Sequence, residues 1–570
     1  MGDGRGPLAR LVECFVEPRE RSSRGRASKV PPRHSVRIFT PVAGGWKEDG
    51  SASAVAPLDL FERLDGLLHS RAVSFSVDGS GSRPLREWDL PFPFAGGLVG
   101  YLGYGLRGLC GVKSTGVPSA DAAAAADAGA DDADTAADAE NIASPAASEA
   151  TSDAGRQQAC AADEFVPDSS WLFADRVLAW DHDSNLCYMV AVCDSAHAAE
   201  QERWLDATAS SLGEIAASRA EELCSQQAQA EADALDEPAA PQANSAATAV
   251  SLSVPMPVPA TTGEPPAQSP LIPTVPFDQY AGRIESCLEL IRAGETYEVC
   301  LTQQLAASAR GPALRRAASE VYRRLRVTNP APYAALYEVR AAPGGASRRG
   351  RGSDFAICCS SPERFLRVEA SGIVESKPIK GTIRRGATAV EDAALADQLR
   401  HSAKDRSENL MITDLVRNDL GRVCEPGSVT VPKLMAIESF ATVHQMVTTV
   451  RGRLAEGRTT LHAVRAAFPG GSMTGAPKLR TMRIIDELED LERGVYSGSL
   501  GFLSLSGAAD LNIVIRTAVI TPRGVSVGTG GAIVALSEPH EEVDEIKLKA
   551  LRLQQVVAEF RALLERDDVP

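Results

Sequence analysis

The sequence predicts an α/β or α+β fold with long antiparallel sheets, and three observations support this. From residue 276 to about 566, amphipathic helical patterns alternate with β-branched runs. These runs are spaced as in meanders, not as in regular βαβ units. Turn-forming residues separate them, and almost no low-complexity sequence interrupts them. We therefore expect 276–566 to form one block of antiparallel sheet and helix that carries the chemistry.

Composition divides the rest of the 570-residue chain. An Ala/Asp-rich stretch and a Pro/Ala-rich stretch are too poor in large apolar residues to offset their ordering entropy. We interpret them as a disordered insert and a linker. The resulting boundaries are as follows: 1–115 for the N-terminal region, 116–165 for the insert, 166–235 for the rest of the N-terminal region, 236–275 for the linker and 276–566 for the catalytic domain.

Bulk properties exclude several classes of protein. The net charge of −16 arises largely from residues 121–164, which contain eleven acidic residues and one basic residue. No basic stripe indicates a nucleic-acid partner, and no apolar run reaches the roughly 18–20 residues of a membrane-spanning helix. The 11 cysteines lack zinc-ligand spacing, which favours buried thiols in a reducing compartment. The Arg-rich N-terminus also contains acidic residues, so cytoplasm and plastid stroma both stay open.

Local patterns place the individual elements. The glycines of "GGLVGYLGYG" alternate with aromatic residues, as in tight sheet corners, and no amphipathic helix follows them as a nucleotide loop would require. "RVLAWDH" and "LCYMVAVCD" read as strands, followed by a polar helix over about 198–229. "FDQYAGRIESCLELIRAGE" reads as a helix that Gly294 closes.

Carboxylates occur in two helical pairs. Asp405 and Glu408 are three residues apart, as are Glu542 and Glu545, so each pair shares one helix face. If the two helices faced each other, the four groups could hold Mg²⁺, a hard cation that prefers carboxylate oxygen and retains water. A solvated helix face is the alternative for either pair, and Lys549 could form an ion pair with Glu545.

Glycine clusters and one arginine indicate an anionic ligand. "FPGGSMTGAPK" places a Gly-rich turn before a helix that begins near Pro477, and "VGTGGAIV" lies beside a β-branched run. Both could present backbone N–H groups to an anion, although plain tight turns remain the alternative. Arg516, in the predicted strand "LNIVIRTAVI", needs a carboxylate partner from the protein or from a substrate. Together these features favour a small polycarboxylate.

Lys380, in "ESKPIKGT", is a candidate nucleophile, with a solvated surface lysine as the alternative. As a nucleophile it would have to be partly neutral near pH 7. We expect burial or a neighbouring cation to lower its pKa accordingly.

At this point the motifs resemble a known family. "SPERF", "PIKGT", "ENLMITDLVRNDLGR", "FPGGSMTGAPKLRTMRIIDELE", "NIVIRTAVI" and "GGAIVALSEPHEEVDEIKLKA" are similar, in order, to the chorismate-utilising enzymes. The match covers nearly all of 276–560, and "GGLVGYLGYG" resembles their N-terminal region. The resemblance implies the fold of anthranilate synthase component I, in which two antiparallel sheets form a sandwich surrounded by helices.

The resemblance also implies roles for single residues. It implies that Glu408 and Glu545 bind Mg²⁺ directly and that Asp405 and Glu542 bind it through water. It implies that Glu363 and His444 are candidates for proton transfer. The implied substrate contacts are Ser472, Tyr496, Arg516, Lys549, Thr382 and the backbone of Gly530 and Gly531.

Lys380 distinguishes between members of the family. Anthranilate-forming members resemble this chain but carry alanine in "PIAGT", whereas "PIKGT" is similar to members that form 4-amino-4-deoxychorismate. The resemblance therefore implies an amino-group transferase of 4-aminobenzoate and folate biosynthesis, in which Lys380 attacks C2 of chorismate and ammonia then adds at C4. Anthranilate synthesis, in tryptophan biosynthesis, is the alternative.

The chain departs from the family pattern at three points. Glu298 occupies a position where bacterial amino-transferring relatives usually have Gln and isochorismate-forming ones have Lys. No glutaminase elbow of the G-x-C-x-G-x-Q kind occurs, so we expect free ammonia or a glutaminase partner to supply nitrogen. The N-terminal region also starts late relative to the family, and we expect it to lack most of the first strands.

Overall fold

The computed structural model describes the larger part of the chain. The described ranges are 93–110 except 95, 166–235 except 183–185 and 193–195, 271–308, 314–339 and 355–566, together with 60–61, 64–65, 68 and the N-terminal strands given below. The predicted insert 116–165 lies outside the described residues, as do residues 236–270 of the predicted linker. The assignment of residues 271–275 to that linker is wrong, because Leu271 and Val275 are buried and a short strand lies between them.

Helices flank the sheets. In chain order they are α1 (Ala198–Leu235), α2 (Phe277–Arg292), α3 (Leu314–Thr328), α4 (Ala389–His401), α5 (Ala403–Gly421), α6 (Thr460–Ala467), α7 (Lys478–Leu488) and α8 (Pro539–Arg566). The helices predicted over 198–229, up to Gly294 and from Pro477 are confirmed. Gly294 adopts a φ of 79°, which favours glycine after the end of α2.

The strands of the described residues form antiparallel pairs. In chain order they are β1 (Arg10–Val16), β2 (His34–Val42), β3 (Gly45–Ala52), β4 (Ser74–Phe75), β5 (Arg83–Pro84), β6 (Gly97–Leu102), β7 (Ser169–Ala174), β8 (Arg176–Asp181), β9 (Leu186–Ala191), β10 (Ile272–Pro273), β11 (Glu298–Ser308), β12 (Tyr333–Val339), β13 (Phe355–Ser361), β14 (Arg364–Val368), β15 (Ile373–Lys377), β16 (Ile379–Arg384), β17 (Thr430–Ser439), β18 (Val443–Arg453), β19 (Gly475–Ala476), β20 (Ser499–Ser504), β21 (Ala509–Ile513), β22 (Thr517–Thr521) and β23 (Gly524–Val534).

The larger sheet joins the N-terminal region to the predicted catalytic block. Its order is β16-β18-β15-β14-β21-β20-β6-β7-β1-β2-β3, with β17 paired to β18. Gly100 of β6 lies opposite Gly501 of β20, and a side chain at Gly100 would meet the Ser170 carbonyl of β7 at 2.0 Å. Strands β1, β2, β3, β6 and β7 of the N-terminal region therefore continue the sheet of the catalytic block, whereas β4 with β5 and β8 with β9 form two separate two-stranded sheets.

The smaller sheet has the order β10-β11-β23-β22-β13-β12, with β19 paired to β11. It packs face to face against the larger sheet through an apolar layer. In this layer Tyr101 of β6 makes edge-on contacts with Tyr337 of β12 and Phe355 of β13. The predicted sandwich of two antiparallel sheets with surrounding helices is confirmed.

Two helices bring the carboxylate pairs to the sandwich. Helix α5 packs on β18 of the larger sheet, and α8 packs on β23 of the smaller one. The Ser402 side chain accepts a hydrogen bond from the backbone of Asp405, so the sequence fixes where α5 begins. Among the described residues, no helix is long and apolar enough to cross a membrane.

Candidate active site

Lys380 lies at the centre of the site, on β16. Its Nζ is 2.8 Å from Oε1 of Glu298 on β11 and 3.9 Å from Oε2 of Glu408 on α5. Lys380 is 9% exposed and Glu298 is fully buried, which rejects the solvated surface lysine. Gly381 follows with a φ of 86°, and a side chain there would meet Asp405 Cγ at 2.8 Å. The glycine of "PIKGT" is thus required both by its conformation and by the close approach of α5.

The expected charge state of Lys380 is wrong. Burial does lower the pKa of this amine, but the negative charges of Glu298 and Glu408 outweigh burial and raise the pKa above its ordinary value. Two carboxylates, and not a neighbouring cation, surround the amine. Without substrate, Lys380 is therefore an ammonium ion.

Three of the four predicted carboxylates, Glu408, Glu542 and Glu545, interact electrostatically with Lys404 of α5. This α5 side chain lies 3.5 Å from Oε1 of Glu542 on α8. Burial lowers the pKa of Lys404, but the negative charges of Glu542, Glu408 and Glu545 outweigh burial. The pKa of Lys404 is therefore raised above its ordinary value. The predicted ion pair of Glu545 and Lys549 is also present, at 2.7 Å. The fold therefore brings the carboxylates of both helices towards one place, with lysines between them.

The donor set matches a magnesium ion in chemistry. Burial raises the pKa of Glu408 to about 7, and Oε1 of this side chain is buried without a hydrogen-bond partner. Such an orphaned carboxylate oxygen fits a hard cation. Within the described ranges, however, no three His, Cys, Asp or Glu side chains form a ready ligand group. The carboxylates therefore fit a hard cation in chemistry, but the described residues do not form a ligand cluster in this structure.

Glu363 and Ser472 form a second part of the site. Glu363 lies between β13 and β14, and Ser472 lies on the short 3-10 turn Gly471–Met473. Burial raises the pKa of Glu363 to about 7, although a hydrogen bond with Ser472 and the charge of Lys380 act in the opposite direction. The two side chains also line one cavity. At neutral pH a large fraction of Glu363 is a neutral acid that can donate a proton.

His444 lies on β18, beside the strand that carries Lys380. Its Nδ1 is 2.7 Å from Ser439 Oγ, and its Nε2 is 3.0 Å from Asp392 Oδ1. Both ring nitrogens are therefore engaged with protein groups. Thr382, on β16, accepts a hydrogen bond from Gln445 at 3.5 Å.

Arg516 was predicted inside a continuous strand, and this is wrong. The segment divides into β21 of the larger sheet and β22 of the smaller one, and Arg516 lies at the crossing with a φ of 50°. Its guanidinium reaches Asn329 Oδ1 at 3.5 Å. Among the described residues it has no carboxylate partner, and burial lowers its pKa. An internal salt bridge, one of the two alternatives for Arg516, is therefore not seen among the described residues.

The glycine segment "VGTGGAIV" lies within a strand, so a tight turn is the wrong alternative. Gly530 and Gly531 pair with β11 on one side, whereas β22 pairs with β23 only over 524–527. The opposite edge at Gly530 faces Lys549, whose Nζ donates to the Gly530 carbonyl at 3.1 Å. Tyr496 packs on this segment, because a side chain at Gly528 would lie 2.1 Å from its ring.

Sequence patterns missed four residues in or behind the site. Glu298 was noted for its identity but not as the partner of Lys380, from which it is 82 residues distant. Asn329, beside Arg516, had no signal in the sequence. Arg493 and Glu489 form a buried ion pair at 2.7 Å behind the site. Their spacing of four residues could have indicated this pair.

The chain is similar to several known proteins. A family profile described as chorismate binding enzyme matches residues 146–555. A protein of Streptomyces pristinaespiralis named aminodeoxychorismate synthase is 41% identical over 510 residues, which is 88% of the chain and 55% of the relative. A protein of Arabidopsis thaliana named aminodeoxychorismate synthase, chloroplastic, is 48% identical over 299 residues, which is 52% of the chain and 30% of the relative.

A solved structure supports the same fold. Anthranilate synthase component I from Streptococcus pneumoniae TIGR4 matches with a TM-score of 0.55 and 25% identity, over 95% of the chain and 92% of that protein. The curated relatives are longer than this chain, which spans about half or less of their length.

Proposed function

The chain belongs to the chorismate binding enzyme family, and on this premise we propose that it converts chorismate and ammonia to 4-amino-4-deoxychorismate. The three-carbon side chain derived from pyruvate stays on the product, which leads to 4-aminobenzoate and folate. The observation that carries the proposal is the buried Lys380 amine, held at 2.8 Å by Glu298. The relatives named aminodeoxychorismate synthase support it.

Lys380 acts as the nucleophile in this proposal. Glu298 is the nearest acceptor for the proton that the ammonium must lose before it attacks. The amine then forms a bond to C2 of chorismate, both conjugated ring double bonds shift by one position and the C4–O bond breaks. In the second step ammonia forms a bond to C4, both double bonds shift back and the C2–N bond to Lys380 breaks. The lysine is thereby regenerated.

Glu363 is the proposed acid for the departing C4 hydroxyl. Its pKa of about 7 makes it partly protonated at neutral pH, and its hydrogen bond with Ser472 orients it. His444, the other predicted proton carrier, would first have to release Ser439 or Asp392. The geometry therefore favours Glu363 over His444 for this step.

Two regions are proposed to bind the substrate carboxylates. Arg516 and Tyr496 form one, since Arg516 has no carboxylate of its own among the described residues. The free edge of β23 at Gly530 and Gly531, with Lys549, forms the other. Thr382 would contact the substrate beside Lys380.

Glu408 and Glu545 would hold a magnesium ion directly, and Asp405 and Glu542 would hold it through water. When bound, this ion would neutralise the ring carboxylate and the charge that develops as the hydroxyl departs. Glu408 carries this proposal best because its Oε1 is buried and unpartnered.

Anthranilate synthase is the second candidate, favoured by the solved structure with the same fold. It would not need a lysine at position 380. Isochorismate synthesis is less compatible with this site. Isochorismate-forming relatives have lysine at the position that Glu298 occupies in this chain. For nitrogen supply we propose free ammonia or a glutaminase partner, and for location the cytoplasm or the plastid stroma.

Product identification tests the proposal. Chorismate, Mg²⁺ and ammonium are incubated with wild type and with Lys380→Ala, and products are separated by mass spectrometry. An amino product that retains the pyruvate-derived group in wild type, and is lost in Lys380→Ala, is the expected result. Anthranilate and pyruvate from wild type would instead establish the second candidate.

A further inference from the structure

Arg493 lies behind the site and uses all five of its N–H donors. Its Nε and one Nη2 hydrogen bind the Glu489 carboxylate at 2.8 and 2.7 Å, and the other Nη2 hydrogen binds the Cys300 carbonyl at 2.7 Å. Nη1 binds the Met473 carbonyl at 2.6 Å and Ser497 Oγ at 3.3 Å. Arg493 is 4% exposed, so water does not replace any of these bonds.

Three of the four acceptor residues belong to segments that also carry site residues. Met473 follows Ser472, and Ser497 follows Tyr496. Cys300 is two residues beyond Glu298 on β11. A single planar guanidinium thus links the 3-10 turn, the loop of Tyr496 and strand β11, whose Glu298 forms the ion pair with Lys380. The geometry of these segments depends on one rigid group, because a guanidinium fixes the directions of its donors.

Two neighbours hold Arg493 in place. Glu489 also accepts hydrogen bonds from the backbone and the hydroxyl of Thr302 on β11, at 2.8 and 3.0 Å. The Tyr104 ring centroid lies 4.4 Å from the guanidinium carbon of Arg493 and 4.6 Å from that of Arg107. Tyr104 belongs to the N-terminal motif "GGLVGYLGYG", so this motif packs against Arg493 behind the site. The motif therefore has a structural role next to the site, although it takes no part in the proposed reaction.

We propose that Arg493 is a positioning residue for chorismate. It touches no reacting atom and acts through Ser472 and Tyr496, whose relative position decides whether substrate and Glu363 meet correctly. Arg493 and Tyr496 also line one small cavity with Gly528, so a shift of the guanidinium changes the packing around Tyr496. The inference rests on the proposed chorismate site but not on which amino product forms.

The test compares Arg493→Lys with a matched control. Lysine retains the charge opposite Glu489 but has three donors in no fixed plane, so at least two hydrogen bonds are lost. The control is Arg283→Lys, which changes another partly buried arginine, paired with Asp490 next to Glu489. The measurements are consumption of chorismate, KM for chorismate and for ammonium, and thermal unfolding.

We expect Arg493→Lys to lower kcat/KM for chorismate by about 100-fold, with most of the loss in KM, because displacements of about 1 Å cost this much. The KM for ammonium should change by less than about twofold, and Arg283→Lys should retain wild-type kinetics. A purely structural role would instead lower the unfolding temperature and leave the KM for chorismate unchanged. That result would overturn the proposal.

A milder variant tests the same inference if Arg493→Lys does not fold. Ser497→Ala removes only the direct bond between Arg493 and the residue after Tyr496, so a folded protein is expected. It should raise the KM for chorismate by roughly threefold to tenfold, as for one lost hydrogen bond. An unchanged KM would contradict the inference. Chorismate consumption does not depend on product identity, so the inference and the proposed function can fail separately.

Discussion

Glu363 provides a stability test that needs no substrate. Its side chain is 6% exposed, and burial raises its pKa from 4.5 to about 7. The folded protein therefore binds more protons here than the unfolded chain between these values. The stability that this group contributes is complete below about pH 4.5 and is lost as the pH rises through about 7. Glu363→Gln has the same shape and stays neutral, so its stability lacks this contribution to the pH dependence.

The difference between the two proteins gives the magnitude. A shift of about 2.5 units corresponds to about 3 kcal/mol, since each unit is worth about 1.4 kcal/mol. Urea unfolding of both proteins is measured from roughly pH 5 to pH 9. Relative to wild type, Glu363→Gln should gain about 3 kcal/mol over this range, with most of the change between about pH 5 and pH 7 and little above it. Other titrating groups, including Glu408, cancel in the difference. A difference that does not vary with pH would refute a buried neutral Glu363.

Three further predictions concern the binding regions. Asp405→Asn should raise the Mg²⁺ concentration for half-maximal binding roughly 10- to 100-fold, measured by calorimetry, whereas exposed Asp414→Asn should not. Gly528→Ala would place a methyl group 2.1 Å from the Tyr496 ring and should cost about 1–3 kcal/mol in urea unfolding, whereas Gly282→Ala, with open space around it, should not destabilise. Arg516→Gln should raise the KM for chorismate by about 10- to 100-fold with the KM for ammonium unchanged, and equal effects on both constants would contradict carboxylate binding.

Local patterns in the sequence predicted the helices well. The carboxylate pairs of α5 and α8 follow from helical spacing, and Glu408, Glu542 and Glu545 of these pairs interact electrostatically with Lys404. Helix α2 ends as its glycine indicates. These features depend on neighbours along the chain, which periodicity and capping describe directly.

Features that depend on distant residues could not be predicted in this way. The charge of Lys380 is set by Glu298, on another sheet, and no spacing rule links them. Arg516 lies in a run of β-branched residues whose pattern continues through the crossing between the sheets, so the pattern could not show the positive φ. Arg493 serves three segments at once, which becomes visible only when they are folded together.

The measurement that tests the central claim most directly is the intact mass of the protein incubated with chorismate and Mg²⁺ in the absence of ammonia. We expect a mass increase equal to chorismate minus water, located on the peptide that contains Lys380 and removed when ammonium is added. Lys380→Ala should show no increase. Turnover by wild type without any adduct at Lys380 would contradict the account of this lysine as the nucleophile.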